Sequence, residues 1–144
     1  MHLTKHEKYK KNIIKWSALL VIGAIVGIAA FVLHLIIDGL STLRWGVAHD
    51  ILNDVGPEYA WMYFTALSII YVGVASYFTS YHAPSSAGSG IPEVKSILNG
   101  VNLKDVLAFK TCLVNFFGVS LAVSGGLCVG LEGPLVQTGS AVAL

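Results

Sequence analysis

At 144 residues, with 55% hydrophobic and 12% charged residues and a mean hydropathy of +0.72, the chain is too apolar for an average soluble domain, in which about a quarter of residues are charged. The composition is that of an integral membrane protein and leaves room for only a handful of spans of roughly 20 residues each. A formal net charge of +1 with no arginine-rich or aromatic-interleaved basic face gives no nucleic-acid surface, and two cysteines without C-x-x-C spacing give no metal or redox centre.

Residues 1–15 form a basic tail with Lys5, Lys8, Lys10, Lys11 and Lys15, and residues 16–144 form the membrane part. The run from Trp16 to Ile37 holds no Asp, Glu, Lys or Arg. It is long enough for a first span, and the lysines before it place the N-terminus in the cytoplasm by the positive-inside rule. Gly23 and Gly27 in this run are spaced as G-x-x-x-G, which permits close helix packing. Residues 38–58 carry Asp38, Asp50, Asp54 and Glu58 against a single Arg44 and read as a solvated loop with a short interfacial helix on the opposite side. A second apolar run, Tyr59 to Tyr81, with aromatic residues at both ends, returns the chain across the bilayer.

The pattern then changes. "HAPSSAGSGIPEVKSILNG" is rich in Gly, Ser and Pro, yet apolar runs flank it, the next extending from Val106 to Val129. Within it, Ser89 is a candidate cap, Pro92 suits a first helical turn, and Glu93 suits the positive end of the dipole, so a short helix from about Pro92 to Leu98 is predicted, stopped by Asn99 and Gly100. Such a helix cannot cross about 30 Å of hydrocarbon. Broken helices are tolerated at membrane depth where they line a cavity or are buried in protein, and their free N–H groups attract anions. The same grammar recurs in "GGLCVGLEGPLVQTGSAVAL", where glycines end one helix and Gly133 and Pro134 open another. Glu132 therefore stands at a place built for an anion. Ionised, it occupies that place itself; protonated or displaced, it yields to a diffusing anion, and so acts as a gate. Lys95, Lys104 and Lys110 mark the cytoplasmic face between spans, and Cys112 and Cys128 read as small buried hydrophobes. No P-loop or strand-preceded G-x-G-x-x-G is present, and the reading is not that of an enzyme: no catalytic residue, cofactor or metal is assigned.

"GSGIPEVKSILNG" (88–100) and "GLEGPLVQTG" (130–139) resemble the two leading signatures of the CLC chloride channels and chloride/proton exchangers, with "LKDVLAFKT" and "FGVSLAVSGGL" between them also similar to that family. The resemblance extends from about Trp16 to the end and is greatest to the eukaryotic intracellular exchangers, with plant vacuolar members second. It implies an all-α, polytopic fold of full spans and short broken helices, of which this chain is the N-terminal part. It further implies chloride as the transported ion, protons as counter-substrate in an exchanger, a homodimer with one pore per subunit, and an intracellular membrane of endolysosomal or vacuolar type.

Carried over residue by residue, the resemblance gives Ser89 as a hydroxyl ligand of a central chloride, with Gly88, Gly90, Ile91 and Pro92 forming the helix mouth. Glu132 becomes the gating and proton-coupling glutamate, with Gly130, Leu131, Gly133 and Pro134 around an outer anion site. Serine at position 89 accompanies chloride preference in the family, whereas proline there accompanies nitrate preference in plant members. Two positions depart from the pattern: Leu131 stands where Lys or Arg is usual, and Gln137 where His is frequent. The family's further chloride ligands and its internal proton glutamate would lie beyond Leu144. The alternative expectation is a truncated membrane segment that transports nothing and at most associates with full-length subunits.

Overall fold

A computed structural model describes residues 5–101, 103 and 106–143. Residues 1–4 of the basic tail, the side chains of residues 5–8, and Lys104 lie outside the described residues. Helix α1 runs Lys5–Asp54, α2 Pro57–His82, α3 Ile91–Leu98, α4 Phe109–Ser124 and α5 Glu132–Ala143, with a 3-10 turn at Pro84–Ser86. The fold is all-helical among the described residues, as the resemblance implies, and two helices are long and apolar enough to cross a membrane: Tyr9–Asp54 and Pro57–His82.

The loop expected at 38–58 does not form, because α1 continues unbroken to Asp54. Its buried side chains, Leu33, Ile37, Arg44 and Ala48, recur at intervals that keep to one face of a helix. That face stays in phase through the supposed loop, and no proline interrupts the chain before Pro57. The same continuity joins the lysine-rich segment from Lys5 onward to the span, since lysine is a good helix former. At 50 residues α1 is about 75 Å long, more than twice the hydrocarbon thickness. Gly56, with φ 135°, and Pro57 separate it from α2.

Helix α4 packs chiefly against α2, and α1 lies across α2, α4 and α5. Small residues make the α2–α4 approach possible, Gly118 lying opposite Thr79 and Ala75 being buried. Ser120 and Ser124 are almost wholly enclosed, and each donates its hydroxyl to the carbonyl four residues earlier, Phe116 and Ser120, both at 2.8 Å. These two hydroxyls thus satisfy themselves within the helix. Gly23 and Gly27 have no neighbour within 4 Å of where a Cβ would stand.

Two further differences from the sequence reading concern the apolar run at 106–129. It is helical only over Phe109–Ser124, and at 16 residues, about 24 Å, falls short of a full span. Cys112 is buried as expected, but Cys128 is exposed, because it belongs to the non-helical stretch after α4.

Candidate anion-binding site

Helix α3 starts one residue earlier than predicted, at Ile91, and its cap is Gly90 rather than Ser89. Gly90 has φ 77°, a left-handed conformation that costs glycine little, and no side chain supplies a capping bond. The hydroxyl of Ser89 is therefore not consumed in capping. Pro92 and Glu93 occupy the first turn as expected. Helix α5 starts at Glu132, whose carboxylate stands at the positive end of the dipole.

The two helix starts meet. A Cβ on Gly133 would collide with the carbonyl oxygen of Ser89, so only glycine lets the first turn of α5 press against the 88–90 segment. Around this contact lies one cavity of about 930 Å³. Gly88, Ser89, Ile91, Gly130, Leu131, Glu132, Gly133 and Pro134 all line it, so residues 43 positions apart in sequence face a common space. Gly90 and Pro92 do not line it; Gly90 is buried against Gln137 and Pro92 is exposed.

Among the described residues Glu132 is the only charged one on the cavity wall, and it is exposed. The remaining polar groups are neutral: Ser76, Thr79 and Ser80 from α2, Ser86 and Ser89 from the connecting segment, and Asn115 from α4. The first N–H groups of α3 and α5 have no partner within their helices. Hydroxyls and helix starts, with the Glu132 carboxylate on the same wall, give the cavity the dipolar groups that attract negative charge. The α2 hydroxyls escaped the sequence reading. Their spacing at 76, 79 and 80 inside an apolar run puts them on one helix face and is the signal that finds them.

Behind the wall, Gln137 is 1% exposed and holds three parts of the chain together. Asn115 Nδ2 donates to Gln137 Oε1 at 2.6 Å, and Gln137 Nε2 donates to the carbonyl of Val106 at 2.6 Å. The Gln137 side chain also packs on Gly90, where a Cβ would be only 3.3 Å from it. The departure noted at position 137 is thus an amide engaged at both ends, its oxygen accepting and its nitrogen donating, so that it spans α5, α4 and the segment before α4.

Glu93 has a different setting. Among the described residues its buried Oε2 has no hydrogen-bond partner, and its Oε1 lies 3.0 Å from where a Cβ on Gly88 would be. It lines a second cavity of about 610 Å³ together with Pro84, Ser85, Ala87, Gly88, Leu103 and Val106. Ala87 and Gly88 line both cavities, so the two spaces adjoin at these residues. Lys95 and Lys110 are exposed and line neither.

The family model described as "Voltage gated chloride channel" matches residues 70–144, which contain both helix starts. Among curated proteins, "H(+)/Cl(-) exchange transporter 7" of Mus musculus is 33% identical over 133 residues, covering 90% of this chain and 17% of that protein. "Chloride channel protein C" of Dictyostelium discoideum is 36% identical over 140 residues, covering 96% of this chain and 18% of that protein. "Chloride channel protein CLC-d" of Arabidopsis thaliana is 33% identical over 130 residues, covering 90% and 16%. The chain therefore spans less than a fifth of the length of these relatives.

Proposed function

Because the chain belongs to the voltage gated chloride channel family, we propose that the protein carrying it moves chloride across a membrane, as a channel or as a chloride/proton exchanger, with Glu132 as the gate. The observation that carries this reading is the meeting of two helix starts, with Ser89 and Glu132 on the wall of one cavity whose only charged residue, among the described residues, is Glu132. Chloride enters a space of hydroxyls and N–H groups, where Ser89 donates one directed hydrogen bond and the backbone of Gly90 and Ile91 turns the start of α3 toward the ion. The ionised Glu132 carboxylate occupies the outer part of this space, around Gly130, Leu131, Gly133 and Pro134, and excludes the anion by charge. Protonation removes that charge and opens the path, which also makes Glu132 the proton carrier of an exchanger.

With Leu131 beside the gate, no cation among the described residues lines the cavity, so helix dipoles and hydroxyls supply the attraction. The two cavities adjoining at Ala87 and Gly88 support a route continuing past the site on its other side. The protein carrying this segment sits in a lipid bilayer with its lysine-rich N-terminus in the cytoplasm, in an intracellular membrane, as a homodimer with one pore in each subunit.

The test is chloride and proton flux in liposomes with the protein that carries this segment and with its Glu132→Gln variant. The amide mimics the protonated gate, so chloride flux persists and proton coupling disappears. Flux that stays proton-coupled in the variant removes Glu132 from the gating role. The competing reading, a membrane segment that only associates with full-length subunits, predicts no chloride flux from either protein.

A further inference from the structure

The chain has a single arginine, at a position that charge counting assigns to a solvated loop. Arg44 is instead buried, 8% exposed, with its guanidinium carbon 3.8 Å from the centroid of the Phe64 ring. Among the described residues no carboxylate pairs with it, and its Nε is buried without a hydrogen-bond partner. A cation retained in so apolar a setting at the cost of its hydration needs a compensating partner.

That partner is the end of α4. The last turn closes with Gly126 N–H donating to Val123 and Leu127 N–H to Ala122, while Gly125 N–H donates to Leu121. This is a Schellman ending, with Gly126 left-handed at φ 96°. It leaves the carbonyl of Ser124, and Arg44 Nη1 donates to that oxygen at 2.8 Å. Gly126 lies directly against the guanidinium: a Cβ there would be 3.1 Å from both Nη1 and Nη2. The cation thus sits on the negative end of the helix dipole and seals the point where the chain leaves α4. From that point residues 127–131 run along the cavity wall to Glu132, with Leu127, Val129, Gly130 and Leu131 lining it.

We infer that Arg44 is a positioning residue for the gate: by clamping the Ser124–Gly126 turn it fixes the start of the segment that holds Glu132 over the anion site. This rests on the gating role proposed for Glu132. A freed segment lets the carboxylate spend less time in the anion position, so chloride leaks past it. The experiment is a double-mutant cycle in liposomes with the full protein, measuring chloride flux per reconstituted molecule for Arg44→Met, Arg44→Lys, Glu132→Gln and the pair Arg44→Met/Glu132→Gln. Arg44→Met raises the leak by about tenfold, a change of about 1.4 kcal/mol, when Glu132 is present, and by less than about twofold when position 132 is Gln. Arg44→Lys, which keeps the charge and a donor, returns flux to within about twofold of the parent.

A merely structural arginine changes flux equally in both backgrounds, and that result, or an unchanged leak in Arg44→Met, overturns the inference. Should Glu132→Gln itself open no leak, the gating reading fails first and is identified as the failure. Where Arg44→Met does not assemble, Arg44→Gln, which keeps a neutral donor and loses the charge, is carried through the same cycle: a leak that depends on Glu132 supports the clamp, and one that does not overturns it.

Discussion

Replacing Gln137 by leucine tests the brace behind the anion site. Leucine fills most of the same volume but neither donates nor accepts, so Asn115 Nδ2 and the Val106 carbonyl each lose their 2.6 Å partner. Asn115 is 5% exposed and position 137 is 1% exposed, so water does not readily replace what is lost. An orphaned buried donor or acceptor costs about 1 to 3 kcal/mol, which for two groups gives about 2 to 6 kcal/mol. The companion variant Asn115→Leu/Gln137→Leu removes one orphan along with its partner, so its loss is smaller than the sum of the single changes. Both are read as the thermal midpoint of the purified protein in detergent, followed by tryptophan fluorescence, and as its chloride affinity by titration. Because Gln137 packs on Gly90, next to Ser89, chloride binding weakens together with stability in Gln137→Leu. A stability loss below about 0.5 kcal/mol, the level of an ordinary surface change, refutes the brace, as does a stable variant that binds chloride as the parent does.

Other substitutions test the site itself. Ser89→Pro removes the directed donor and narrows or reverses a preference for chloride over nitrate, read as paired anion flux or as reversal potential; since a hydrogen bond to a charged partner contributes roughly 1.5 to 3 kcal/mol, a change of at least about tenfold in the ratio is expected, and an unchanged ratio withdraws Ser89 from the anion. Gly133→Ala puts a methyl group into the Ser89 carbonyl, so the two helix starts separate and chloride flux falls by at least about tenfold, as for a cost near 1.4 kcal/mol; flux at the parent level in a well-assembled Gly133→Ala protein denies the close approach.

Much of the site was legible because its grammar is local. Glycine and proline fix where a helix can start, and an acid in the first turn follows from the dipole, so "GSGIPE" and "GLEGP" mark two helix mouths without reference to anything distant. The assignment of Ser89 as a cap failed for a reason of the same kind: the backbone at Gly90 turns left-handed, and the glycine itself takes the cap position. The run at 106–129 was too generous because apolar character continues after the helix has ended at Gly125 and Gly126.

The amino-acid order alone thus marks a membrane chain of α-helices, with two short helix starts and a carboxylate at one of them. That these starts belong to one cavity came only with the fold, since the contact between Ser89 and Gly133, 44 positions apart, depends on glycine fitting against the Ser89 carbonyl. It also decided the fate of Arg44. Charge counting puts an arginine among aspartates into solvent, but burial is set by the face a residue shares, and Arg44 shares its face with Leu33, Ile37 and Ala48. Its partner, the Ser124 carbonyl, is 80 residues away in sequence. A backbone acceptor of that kind leaves no mark in composition or spacing, because every residue carries one and only the fold chooses which is left over.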